Sequence, residues 1–127
     1  PGTPIYANAV VVDNIVYVSG MTAQKFEDGS CTTNTMQDQM WVALSKMKQV
    51  LEEAGSCLEN VFKTFIMLKD IKDYPVMRAT ELKFYQEYAP ELAEHPAAST
   101  ILQAGCLARP EFLVEIECMA VLNKKKD

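Results

Sequence analysis

Arginine and histidine are scarce in this chain: 127 residues hold two arginines, Arg78 and Arg109, and one histidine, His95. A single histidine excludes any site that needs two from one chain. Two arginines leave only two candidates for a guanidinium clamp on an anion. The five glycines are isolated, with neither G-x-G-x-x-G nor G-x-x-x-x-G-K-[ST], so no phosphate-cradling loop is legible. Cys31, Cys57, Cys106 and Cys118 form no C-x-x-C pair, which leaves a zinc or redox motif unsupported. Scattered among apolar neighbours, they read as structural thiols that act as small hydrophobes in a reducing compartment, and a cytoplasmic location is expected. No apolar run approaches the roughly 18–20 residues of a membrane span. No charged leader followed by an apolar stretch is visible, so neither a membrane segment nor a signal peptide is expected. Whether Pro1 and Gly2 are native is not legible.

What is present suits one compact domain over residues 1–127, with 49% apolar residues available for a core. The chain is too short for a cofactor domain joined to a separate substrate domain. Seventeen acidic residues against twelve basic ones give a formal charge of −5, which argues against a broad grip on nucleic acid. The one charge run, Lys124-Lys125-Lys126, reads as a solvated tail.

Residues 9 to 20 hold two β-branched runs separated by Asp13-Asn14, a pair that tolerates the positive φ of a two-residue hairpin turn. Residues 22–33 read as an exposed loop with a turn at Asp28-Gly29. A helix is predicted from about Thr35 to Ala54, capped by Thr35 with Asp38 three residues on, and stopped by Gly55. Met40, Leu44, Met47, Leu51 and Ala54 form its apolar stripe, with Trp41 packing beside it. Val61–Leu68 reads as a strand with Phe62, Thr64, Ile66 and Leu68 on one face. Asp73 is expected to cap a second helix with Pro75 in its first turn and Val76, Thr80, Phe84 and Tyr88 on one side. Pro90 and Pro96 bound a loop, Ser99–Gln103 is a short strand, Gly105–Glu111 a loop, and Leu113–Leu122 the last strand. The order ββαβαββ makes an α+β fold, one sheet with two helices on one face and right-handed crossovers.

Phe65, Met67, Met119 and Val121 then fall on the face away from the helices, which no remaining segment can cover. A second subunit is the economical cover, so a homo-oligomer is expected. Glu115 and Glu117 share that face, roughly 6.5–7 Å apart along the strand. They read either as a general base or water-orienting carboxylate, or as a solvated edge or an ion pair with Lys63 or Lys69 on a neighbouring strand. A glycosidase-like pair is disfavoured, because no sugar cleft is evident between them. His95, before Pro96, reads as a solvated or capping side chain. Cys106 shows no base that would make it a nucleophile. Arg109 reads as a solvated loop charge that could reach a cleft.

Several segments together resemble the reactive intermediate deaminase (Rid/YjgF) family. They are Tyr6-Ala7-Asn8-Ala9-Val10 with Val16-Tyr17-Val18-Ser19-Gly20, Ala54-Gly55-Ser56 with Leu58-Glu59-Asn60-Val61, Phe65-Ile66-Met67-Leu68-Lys69-Asp70 with Tyr74, Pro96-Ala97-Ala98-Ser99-Thr100, and Val114-Glu115-Ile116-Glu117. The resemblance implies a chorismate-mutase-like fold and a homotrimer whose sheets meet around a central barrel, with small-molecule sites in the clefts between subunits. It implies hydrolysis of reactive enamines and imines to 2-keto acids and ammonia without a cofactor or metal. By the same resemblance Glu115 positions water, Tyr6 lines the pocket, and Ser19 and Gly20 lie beside the ligand. Met21 stands where glutamine is usual. The family's carboxylate-binding arginine, anchored on Ser99 and Thr100, falls at Ala98, and Arg109 could enter the cleft from the following loop. The expected protein is therefore an arginine-lacking member with altered specificity. A non-catalytic metabolite-binding module is a second reading. The ribonuclease or translation-inhibitor label carried by some relatives is disfavoured by the acidic charge.

Overall fold

The structure, a computed structural model, describes residues 5–123; Pro1-Gly2 and the Lys124–Lys126 run lie outside the described residues. The strands and helices are β1 (Ala9–Val12), β2 (Ile15–Met21), α1 (Met36–Glu53), β3 (Val61–Leu68), α2 (Tyr74–Tyr88), α3 (Pro90–Glu94), β4 (Ala98–Gln103) and β5 (Val114–Val121). They form a five-stranded sheet in the order β1-β2-β5-β3-β4. β3 and β4 pair in parallel across the α2–α3 crossover, and the other pairs are antiparallel. The mixed α+β architecture expected from the sequence is thus observed.

Local chemistry sets the element boundaries. Asp13 takes φ 54° in the hairpin turn, and Gly55 takes φ 90° just past α1, where a side chain would be strained. The Thr35 hydroxyl accepts from the Asp38 amide at 3.2 Å and caps α1. The α1 stripe packs down as expected, with Met40, Leu44, Met47 and Leu51 fully buried. Val16, Val18, Ile66, Leu68, Val114, Ile116, Cys118 and Ala120 meet it from the sheet. All four cysteines are free, and burial pushes the Cys118 thiol up to about 12.

Four local expectations are corrected. The register slips between Val61 and Lys63 where β3 pairs with β5, so Val61 is buried and Phe62 is turned out to solvent. A bulge of this kind transposes the alternation on one side of the slip. Asp73 makes no side-chain cap; Asp70 instead accepts from the Lys72 amide at 2.9 Å and starts a 3-10 turn that runs into α2. The buried side of α2 is Met77, Thr80, Glu81, Phe84 and Tyr85, while Val76 and Tyr88 stand largely exposed. Between Pro90 and Pro96 the chain forms α3 rather than a loop, because Pro90 at the first turn needs no amide partner.

Phe84 joins the helices. Its ring meets Trp41 of α1 edge-on at 4.9 Å and lies 4.7 Å from Tyr88, and it is wholly buried. Phe84→Ala is expected to cost about 3–5 kcal/mol. Urea unfolding checks this: the midpoint falls while the slope is unchanged.

Candidate functional site

A recess of about 430 Å³ opens where the end of β2, the loop after it, α1 and the segment before β5 converge. Three devices shape it. β2 slips its register against β5 between Val18 and Met21, which places Ser19 and Gly20 in a bulge beside Glu115. The Ser19 hydroxyl donates to the Ala7 carbonyl at 2.6 Å and its amide to the Asn8 carbonyl at 2.9 Å. That ties the segment carrying Tyr6 to the mouth. Gly20 is there because Glu115 needs its space: a Cβ at position 20 would overlap Glu115 Oε2 and lie 2.7 Å from its Cδ.

Among the described residues Glu115 is the only carboxylate on the wall of the recess. It sits across from Met67 in the β3–β5 register, with Glu117 across from Phe65. Partial burial, and then the charge of Glu117, raise its carboxyl above the ordinary range; Lys46 opposes them. The wall is completed by Phe26, Phe112 and the buried Met21. A carboxyl raised in this way beside aromatic walls can hold and move a proton.

The structure brings Tyr6, Ser19, Gly20, Met21 and Glu115 together in this recess. It does not bring Ala98, Ser99 or Thr100 to it. They lie on β4, the opposite edge of the sheet from β1 and β2. There the pleat divides them. Ser99 faces the helices, where its hydroxyl accepts from Thr64 Oγ1 and Arg78 Nη2, both at 3.0 Å. Ala98 and Thr100 face the open side, where Ala98 pairs in register with Lys63, whose ammonium donates to Thr100 Oγ1 at 2.6 Å. Arg109 is outside the wall. Its Nη2 donates to the Gly29 carbonyl at 2.9 Å, its Nε is 3.4 Å from Glu111, and its guanidinium covers the Phe112 ring. It pins the two loops that flank the recess.

Two side chains that sequence reasoning missed come from α1. Gln39, fully buried, donates to the Thr33 and Glu111 carbonyls at 3.0 and 2.9 Å and accepts from the Leu113 amide at 2.8 Å. Lys46, also buried, donates to the Thr22 carbonyl at 2.9 Å and the Gln24 carbonyl at 2.5 Å, and lines the recess. Burial lowers its pKa, while Glu115 is the largest of the charges that oppose the fall. The signal was readable: Met36, Gln39, Ala43, Lys46 and Val50 repeat at three- and four-residue steps beside the apolar stripe, a second buried row with two polar members.

The sequence model of the endoribonuclease L-PSP family matches residues 3–122. The chain is 35% identical over 115 residues to a 3-aminoacrylate deaminase RutC of Acinetobacter baylyi, covering 91% of this chain and 85% of the relative. It is 28% identical over 117 residues to the chloroplastic Reactive Intermediate Deaminase A of Arabidopsis thaliana, 92% of this chain but 58% of that protein's length. A solved structure of an endoribonuclease L-PSP from Entamoeba histolytica superposes with a TM-score of 0.83 at 30% identity, over 95% of this chain and 90% of the other. Among the described residues no helix is long and apolar enough to cross a membrane.

The environment of Glu115 has a measurable consequence. A carboxyl whose pKa is raised by folding binds its proton more tightly in the native state, so stability falls as pH rises from the unfolded value through the folded one. Glu115→Gln is therefore expected to raise Tm near neutral pH, with the gain vanishing below the ordinary carboxylate range. Thermal melts of both proteins across that span test it. Gly20→Ala is expected to lower Tm at every pH, because the added methyl displaces the carboxylate.

Proposed function

The chain belongs to the endoribonuclease L-PSP (Rid/YjgF) family, and from that premise we propose that it is a cofactor-independent hydrolase of small enamines or imines. The observation that carries this reading is Glu115, half-buried, with a raised pKa, seated over Gly20 in an aromatic-walled recess. The chemistry asks for one group that orients water and takes its proton. An enamine first tautomerises to its imine. Water then adds to the C=N carbon of the protonated imine, its oxygen bonding to carbon as its proton passes to Glu115, which hands that proton on to the amino nitrogen. The carbinolamine collapses as its hydroxyl proton leaves, the C–N bond breaks, and the protonated nitrogen departs as ammonia, leaving a carbonyl. Placing water and substrate against a fixed carboxylate supplies the orientation this needs.

A homotrimer with intersubunit clefts is part of the same proposal. The open face of the sheet carries Tyr17, Phe65, Met67, Leu102, Met119 and Val121, none of them fully buried, and no described segment covers it. Such a face calls for a partner. A second copy also answers the separation of the site residues, since one subunit's β4 edge would reach another's recess. Ala98 would then present no cation to the cleft, and its register partner on that face is Lys63, whose ammonium is held by Thr100. This is the source of the altered specificity we propose. It also favours a second reading, a metabolite-binding module without turnover. Ribonuclease activity is disfavoured by the formal charge of −5.

The test is a coupled assay in which 2-aminoacrylate or 2-iminobutanoate is generated in place. The protein is expected to accelerate loss of at least one of the two, and Glu115→Gln to reduce that acceleration by about 10²–10⁴-fold. No acceleration at micromolar protein, alongside retained binding of the 2-keto acid, supports the binding module instead. Ala98→Arg is expected to raise activity toward carboxylate substrates by about tenfold or more, as restoring a bidentate ion pair does. Sedimentation at micromolar concentration is expected to show a trimer; a monomer removes the cleft.

A further inference from the structure

Lys46 stands out because, among the described residues, its charge has no countercharge in contact. Among the described residues the ion pairs within 4.0 Å are Lys48–Glu52, Arg78–Glu81 and Arg109–Glu111. None involves Lys46, although its side chain is buried. An ammonium taken out of water without an anion is expensive, and two carbonyl acceptors offset only part of that. Those carbonyls, of Thr22 and Gln24, use two of its three N–H donors, and among the described residues no hydrogen-bond acceptor takes the third. The Phe26 ring lies 4.7 Å from the ammonium and shields it from bulk water. Lys46 and Glu115 line the same recess without forming an ion pair, so a positive and a negative group stand apart on its walls.

We propose that Lys46 is the anion anchor of this recess and that the ligand is a small zwitterion, an iminium or amino carboxylate. Its carboxylate takes the free N–H of Lys46, and its nitrogen-bearing carbon is held before Glu115. The inference rests on the hydrolase reading only for the role of Glu115. Several features favour this arrangement. The recess, about 430 Å³, suits a ligand of small-molecule size. A low-dielectric wall strengthens a charge-assisted hydrogen bond. The anchor and the carboxylate come from one chain, so their spacing is fixed by α1, β2 and β5 rather than by subunit docking. The polarity of the pair also selects. A dianion meets Glu115 unfavourably, and a simple cation meets Lys46 unfavourably.

The test compares 2-oxobutanoate with its uncharged amide, 2-oxobutanamide, titrated into the full chain by NMR. The acid is expected to bind about tenfold or more tightly than the amide, and to move the Lys46 side-chain Cε resonance. Lys46→Met is expected to abolish the preference while binding of the amide persists. Lys46→Arg is expected to restore part of it, which a purely loop-tethering role would not require. Equal binding of acid and amide by the unsubstituted protein, or binding of neither, overturns the proposal. So does a preference that survives Lys46→Met and disappears in Lys63→Met. Should Lys46→Met not fold, the Cε resonance of the unsubstituted protein decides, and no movement with the acid overturns the anchor. A Lys46-dependent preference in a protein that hydrolyses no imine removes the hydrolase reading and keeps the anchor.

Discussion

The recess depends on the rule that main-chain carbonyls shut away from water must find donors. The loops after β2 and before β5 run close to the core and lack the partners a strand ladder would give them. α1 supplies those partners. Gln39 and Lys46, two turns apart on one buried row, reach the carbonyls of Thr33 and Glu111 and of Thr22 and Gln24. Gln39 also accepts from the Leu113 amide, so a single side chain fixes the entry to β5 and the residues that follow, Glu115 included. The loops are therefore shaped from beneath by a helix. Arg109 ties them together from above through Gly29 and Glu111.

Charge in the recess follows from that scaffold. Lys46 is buried because it serves as a tether, and burial gives its ammonium reach into the recess that a solvated lysine would lack. Glu115 is set apart from Glu117, one pleat along the same face, by the β2 bulge: Gly20 gives Glu115 a bed, while Glu117 remains exposed. Two carboxylates that look equivalent on a strand become unequal through what their neighbours omit.

The sheet, its strand boundaries and the stripe of α1 were legible because they rest on periodicity and on turn residues such as Asp13 and Gly55. Phe62 was misassigned because a register slip cannot be read from one strand; it is a property of the pair. Val76 and Tyr88 kept a spacing of four, but the helix turned Met77, Glu81 and Tyr85 inward, and the charge of Glu81 hid the buried side. Glu115 was found by alternation and sharpened by resemblance. Lys46 was passed over because a lysine in a helix reads as a solvated charge, and the carbonyls that hold it lie more than twenty residues away. Ala98, Ser99 and Thr100 were grouped as neighbours in sequence, whereas alternation sends Ser99 to the helices and its two neighbours to the open face.

That last division has a consequence for how such a protein can change. β4 is held to the body by Ser99, through Thr64 and Arg78, and by Ile101 packed against the core. Ala98 and Leu102 carry none of that attachment, and Thr100 has only the hydrogen bond from Lys63 on the open face. The edge strand thus behaves like a keyboard fastened from behind: the keys on its outer side can be exchanged without loosening the frame. An alanine where relatives are expected to place an arginine is tolerated by the fold for this reason. Chemistry at that edge can drift through forms with different ligands while the architecture stays intact.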